Sequence, residues 1–305
     1  MIEGSFIETS GYQIRLSNNL VWSLSSDCKE LQLWLNKVAS IMELDKGCAE
    51  YSMPVICSGH KETHEQVDQR ERNEAIDESW ECYEANTLRI LHEEKSHNLR
   101  FSIKPFASRI AEIIAMKSAL YPLYRDIISM GGQLFHAGLI ELNGRGVILA
   151  GRSGAGKSTC CRRLPDYWNA HCDDELLLIL DGNGEYRAHP LPTWSEYLEG
   201  FSEKTWNIQN SVPVCGVFFI EQAMDDAALS LFDGESASLI NESSRQGYMN
   251  YGNLFCDQGR KVLQGKLFNN SCAIAKKIPA FTLQVSLEGK FWEEIERVLG
   301  LQDSI

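Results

Sequence analysis

Apolar and polar positions alternate from Tyr12 onward (Tyr-Gln-Ile-Arg-Leu-Ser), which predicts a strand running toward Leu24 with a turn at Asn18-Asn19. The period then lengthens. Leu31, Leu33, Trp34, Val38, Ile41 and Met42 follow helical spacing and predict one amphipathic helix. Residues 51–57 read as another strand, and strand-like patterns resume at 80–91 and 99–103. Between them, residues 58–79 hold ten charged side chains and no aromatic residue, the pattern of a solvated loop or exposed helix. Pro105 and Ser108 open an apolar helix, and Ile110, Ile113, Ile114, Met116, Leu120, Leu123, Ile127 and Ile128 predict a wide buried face on it. Pro122 predicts a kink in this helix, and Gly131-Gly132 its end.

The pattern changes character near Gly131. Residues 134–142 read as one strand, Asn143-Gly144 supplies a two-residue hairpin turn, and residues 145–150 return. Residues 176–180 form a short apolar strand, Asp181-Gly182-Asn183-Gly184 turns the chain, and 185–188 come back. Residues 214–220 predict a buried strand. Leu287, Phe291, Trp292, Ile295, Val298 and Leu299 predict a terminal amphipathic helix. The expected organisation is a smaller α+β domain over 1–130 and an α/β domain over 131–305, with no internal repeat.

Composition narrows the function classes. Of the 305 residues, 44% are hydrophobic and 23% charged, which is the balance of a soluble globular protein. A net charge of −13 argues against a nucleic-acid partner, because phosphate backbones reward a basic face. It leaves nucleotide binding open, since a phosphate loop attracts its ligand locally. No apolar run reaches the roughly 18 residues of a membrane span, and Met1-Ile2-Glu3-Gly4-Ser5 does not read as a signal peptide. The ten cysteines show no C-x-x-C spacing, which speaks against zinc and predicts reduced thiols in a cytoplasmic protein.

One motif carries chemistry. Gly151-Arg152-Ser153-Gly154-Ala155-Gly156-Lys157-Ser158 fits G-x-x-x-x-G-K-[ST] at every required position, between an apolar strand and a helix-compatible segment that Pro165 stops. The glycines let the backbone turn tightly and aim successive N–H groups at an anion. The reading is a P-loop: residues 151–159, Thr159 included, bind the phosphates of ATP. Lys157 reaches the outer phosphates, and Ser158 places its hydroxyl on Mg²⁺.

Sixteen residues after Lys157 stand Asp173 and Asp174, followed by Glu175 and the strand at 176–180. Adjacent carboxylates beside a phosphate site can divide labour, one taking a proton from an attacking hydroxyl and the other holding the metal. A solvated turn is the plainer alternative. His136, in Phe135-His136-Ala137-Gly138, is on its own a structural histidine. Glu221, at the end of an apolar strand, is a second candidate metal ligand. Arg152 and Arg245 can neutralise a transferring phosphate or simply face solvent, and Trp194, Tyr197, Phe201 and Trp206 suit packing or a lid.

Taken together, the histidine in a strand, the hairpin, the glycine-rich loop and the Asp-Asp pair over residues 134–180 resemble the catalytic domain of HPr kinase/phosphorylase. More distantly they resemble the ATP-dependent phosphoenolpyruvate carboxykinases. The resemblance implies an α/β P-loop kinase domain of the HPr kinase/phosphoenolpyruvate carboxykinase type. It implies Asp173 as general base toward a serine hydroxyl, Asp174 as metal-linked carboxylate, His136 near the transferred phosphate, and a homo-oligomer, since many relatives form rings. The later segment with which that family binds its protein substrate is absent, and residues 1–130 do not match its regulatory domain. The segment from Gly11-Tyr12 to Trp22, with the Trp34 helix, resembles the ScmC type of SynChlorMet peptide cassettes.

The expected activity is ATP- and Mg²⁺-dependent phosphoryl transfer to a serine-type hydroxyl of a peptide or protein. A kinase acting on a small hydroxylated metabolite and a nucleotide-dependent binding module in a peptide-modifying complex are the alternatives.

Overall fold

A computed structural model describes residues 11–26, 29–47, 53–58, 80–85, 88–93, 99–103, 105–199, 203–249 and 257–301. The polar tract at 59–79 and Phe201 lie outside the described residues. The chain divides into two units. One takes in residues up to Arg15, Leu20–Pro122 and Tyr197–Thr205; the other comprises Leu16–Asn19, Leu123–Glu196 and Trp206–Ile305.

The first unit holds seven strands: β1 (Tyr12–Arg15), β2 (Val21–Ser26), β3 (Asp45–Lys46), β4 (Met53–Ser58), β5 (Trp80–Ala85), β6 (Leu88–Glu93) and β7 (Leu99–Ile103). They form one mixed sheet in the order β3-β1-β2-β4-β7-β6-β5, with β4 parallel to both β2 and β7. The helix Lys29–Ile41 buries Leu31, Trp34, Leu35 and Val38, while Leu33 points outward. The helix expected to kink at Pro122 is two helices, Arg109–Ala119 and Tyr121–Ser129. Ser108 caps the first by accepting from the Ala111 amide at 3.2 Å. Proline lacks an N–H, so Pro122 fits the opening turn of the second helix but would cost a hydrogen bond inside a continuous one. The expected apolar face is narrower than its spacing suggests, since Ile110 and Ile114 are 54% and 38% exposed.

The second unit holds β8 (Gln133–Phe135), β9 (Ala137–Leu142), β10 (Arg145–Ala150), β11 (Asn169–Cys172), β12 (Leu176–Leu180), β13 (Tyr186–Pro190), β14 (Val212–Gln222), β15 (Ala227–Ser230) and β16 (Ala280–Val285). The order is β11-β9-β10-β14-β13-β12-β8, with β16 paired to β14 and β15 to β16. β10, β14 and β16 run parallel; the rest pair antiparallel. Residues 134–142 are not one strand. The chain leaves β8, paired with β12, and enters β9, paired with β10 and β11, and His136 is the break. The hairpin turn is as its dipeptide predicts, with Asn143 at φ 51° and Gly144 at φ 76°, both left-handed. Its core sets Phe218 against Phe281, ring centroids 4.8 Å apart, among Ile140, Leu149 and Ile295. The terminal helix is Phe291–Leu299, and Leu287 lies before it, almost wholly exposed.

His189 on β13 ties residues 16–19 into this unit and gives it a pH dependence. Its Nδ1 lies 2.7 Å from the Ile208 carbonyl, which can only accept, so Nδ1 carries the proton. Nε2 then accepts from the Ser17 amide at 3.2 Å. Burial pushes the imidazole pKa down to about 4, against a smaller upward pull from the Ile208 hydrogen bond. The unfolded chain protonates near the ordinary value of about 6.5. The contribution of neutral His189 is therefore complete above that pH and is lost as the pH falls toward 4. Chemical denaturation is expected to show stability falling by up to about 1.4 kcal/mol per pH unit across this window. In His189→Gln that component should vanish; an unchanged slope would refute the assignment.

Candidate functional site

Strand register gathers the sequence-predicted residues at one end of the second sheet. Ala137 pairs with Ala150, so His136 lies beside Gly151, where β10 runs into the glycine-rich loop. Ala150 also pairs with Phe219, which places Glu221 just beyond, at the carboxyl end of β14. Cys172 pairs with Leu139 and Leu176 with Phe135, so Asp173-Asp174-Glu175 crosses between strands on either side of His136.

The loop is built as its glycines require. Gly154 and Gly156 take left-handed φ values of 79° and 112°, and a Cβ at either would meet nothing within 4 Å. Both positions face open space, Gly154 exposed and Gly156 half-buried. The helix Lys157–Arg163 follows, and Arg163 fixes it by donating to the Ser286 carbonyl at 2.8 Å and the Gly289 carbonyl at 2.6 Å. Lys157 is buried, and its Nζ donates across its own loop to the carbonyls of Gly151 at 2.9 Å and Arg152 at 3.3 Å. Burial lowers its pKa, and the carboxylates of Asp174 and Asp173 pull it partly back up. Ser153, Gly154 and Thr159 are exposed, and Ala155 and Ser158 are half-buried.

The two aspartates have different partners. Asp173 Oδ1 accepts from the Thr193 hydroxyl at 2.8 Å, and Thr193 is itself buried. Asp174 Oδ1 lies 3.2 Å from His136 Nδ1. Both carboxylates are half-buried, which is not the setting of a solvated turn. Gly138 allows this close assembly: a Cβ there would come within 3.0 Å of Cys161 Sγ and 3.5 Å of Asp173 Cα.

Against the loop lies a cavity of about 400 Å³, lined by Gly151, Arg152 and Ala155 of the loop, by apolar Phe219, Ile220 and Leu239, and by Glu221, Glu242 and Gln246. Arg152, 84% exposed, spans toward Glu242 with Nε 3.4 Å from its carboxylate. Ser243 also lines the cavity, and it is joined to the strand break: its hydroxyl donates to the His136 carbonyl at 3.2 Å and its carbonyl accepts from the His136 amide at 3.3 Å. Arg245 is exposed on the same helix, Asp233–Met249. Trp194, Tyr197 and Trp206 are buried, as packing residues are.

Sequence reasoning missed Thr193, Glu242, Ser243 and Gln246. They lie far along the chain from the loop, and none belongs to a local motif. Among the described residues, no cluster of three His, Cys, Asp or Glu side chains has metal-binding geometry, and no helix is long and apolar enough to cross a membrane. Cys160, Cys161, Cys172, Cys215 and Cys272 form no disulfide.

None of the curated proteins matches the chain. A family profile described as ScmC, SynChlorMet cassette protein ScmC, matches residues 99–300. That span contains the glycine-rich loop, the aspartate pair and the cavity, whereas the 11–34 segment that resembled this type in the sequence lies outside it. A match covering more than half of the chain, with the whole candidate site inside it, places this protein in the SynChlorMet cassette protein ScmC family.

Proposed function

We propose that this protein transfers the γ-phosphoryl group of ATP to a serine-type hydroxyl on a peptide or protein, and that its second unit is a P-loop kinase domain of the HPr kinase type. The observation carrying this reading is the convergence of Lys157, Asp173, Asp174 and His136 on one sheet end, beside a loop whose left-handed glycines face open space.

The residues suit the groups this activity requires. The open space at Gly154 and Gly156 leaves room for phosphate oxygens against the loop's main chain, and Lys157 supplies a positive charge at the loop. Ser158 and Asp174 offer the hard oxygen donors that Mg²⁺ prefers, with phosphate and water completing its shell, whereas Glu221 lines the neighbouring cavity. Mg²⁺ would supply charge neutralisation on the phosphates. Asp173, steadied by Thr193, takes the proton of the acceptor hydroxyl. The freed oxygen forms the new P–O bond, the bond to the β-phosphate oxygen breaks, and ADP leaves. His136 holds Asp174 in orientation beside the transferring group. Positioning and charge neutralisation supply most of the rate.

Incubation with γ-labelled ATP, Mg²⁺ and either serine-containing peptides or free hydroxylated amino acids tests the reading. Label is expected on peptide serine. Label on the free amino acids alone would replace the peptide acceptor with a small metabolite, and no label on any acceptor would overturn the phosphotransfer reading.

A further inference from the structure

We propose that the cavity between the glycine-rich loop and the helix Asp233–Met249 is a recognition site for a basic residue of the acceptor peptide, lying close in sequence to the hydroxyl that receives phosphate. The inference rests on the phosphotransfer reading for the role of the peptide, but the site itself is argued from its walls. Phe219, Ile220 and Leu239 make an apolar floor, and Glu221 and Glu242 place two carboxylates on the rim. Arg152 offsets one of these charges, which leaves the mouth net negative. Gly151, Arg152 and Ala155 of the loop line one side, whereas Lys157, Gly154 and Gly156 lie outside the lining, and such a rim repels phosphate oxygens. The cavity therefore borders the phosphate loop along Gly151, Arg152 and Ala155, and its acidic side suits the acceptor rather than the phosphates.

An apolar floor beneath an acidic rim matches the lysine or arginine side chain, which lays its aliphatic stem on hydrocarbon and carries its charge outward. Ser243 and Gln246 add oxygen acceptors for further N–H groups. The Arg152–Glu242 pair is exposed and weak, so an incoming cation can displace Arg152 from Glu242 at small cost. The chain as a whole carries a net charge of −13, so a basic segment is also steered toward it. The cavity touches His136 through Ser243, so a peptide anchored there has its neighbouring residues beside Asp173 and Asp174.

Three synthetic ten-residue peptides test this. Each carries one central serine flanked by lysine, alanine or glutamate, and binding is measured by fluorescence anisotropy without nucleotide. The lysine peptide is expected to bind about tenfold or more tighter than the glutamate peptide, as close charge pairs at an interface allow. That preference should shrink several-fold in Glu242→Gln and reverse in Glu242→Lys, while Glu288→Gln, on the exposed surface, should leave it intact. Equal binding of all three peptides, or a lysine preference that survives in both Glu242 variants, overturns the proposal; the second result would mean attraction by overall charge alone. Phosphoryl transfer is followed in parallel. Lysine-selective binding without transfer keeps the site and removes the kinase reading. Equal transfer to all three peptides keeps the kinase reading and removes the site.

Discussion

Asp173→Asn is expected to lower phosphoryl transfer by about 10²–10⁴-fold, the range for loss of a positioned general base, while ATP binding is unchanged. The substitution removes the proton-accepting carboxylate and its negative charge but keeps the side chain's shape. Asparagine keeps an oxygen where Thr193 donates its hydroxyl at 2.8 Å, so the local hydrogen bond and the path between β11 and β12 survive. Asp174 and its contact with His136 are untouched. Nucleotide affinity should stay within about twofold of wild type by calorimetry, because a surviving hydrogen bond leaves little free energy to lose. Transfer is read by labelled phosphate. Undiminished transfer in a folded Asp173→Asn protein would remove Asp173 from the chemistry. If the protein only binds partners in response to nucleotide, every activity survives in this variant.

Lys157→Ala should produce a different pattern, with turnover reduced by about 10²–10³-fold, the scale for removing one electrostatic stabiliser, and ATP affinity reduced with it. The ammonium is buried at the root of the loop, held on the carbonyls of Gly151 and Arg152. Alanine leaves those carbonyls without their donor and removes the buried positive charge at the loop. Joint loss of binding and turnover, against selective loss of turnover in Asp173→Asn, separates phosphate holding from proton transfer. Unaltered ATP affinity in Lys157→Ala would contradict the phosphate-binding role of the loop.

The parts of this arrangement that sequence made legible are those whose physics is local. Gly154, Gly156 and Lys157 stand at a spacing that one function explains, and Asn143-Gly144 fixes a hairpin by backbone conformation alone. What escaped was set by tertiary packing. The helix Asp233–Met249 buries Ser236, Ser243 and Ser244 along with Ala237 and Ile240, so its inward face reads as polar. The helix Asp257–Ala275 carries Val262 and Phe268 on the outside while burying Ser271, which blurs its period in the same way. β11, Asn-Ala-His-Cys, has no apolar alternation; it is a strand because β9 offers it an edge. Ile110, Ile114 and Leu287 erred in the other direction, as apolar residues in the right neighbourhood that no partner covers. Thr193 could not be linked to Asp173 from sequence, since only the fold brings a hydroxyl twenty positions away to within 2.8 Å.

The interruption of the strand at His136 has a mechanical consequence. Neither β12 nor β10 engages the amide and carbonyl of that residue in a ladder; Ser243 takes both. Tilting the helix away would strip two main-chain groups of their partner at once, at roughly 1–3 kcal/mol for each group left buried. Helix and main chain at His136 are thus yoked. A side chain wedged into the neighbouring cleft and leaning on that helix would press on the main chain that carries the imidazole facing Asp174, with no intermediary beyond a single serine.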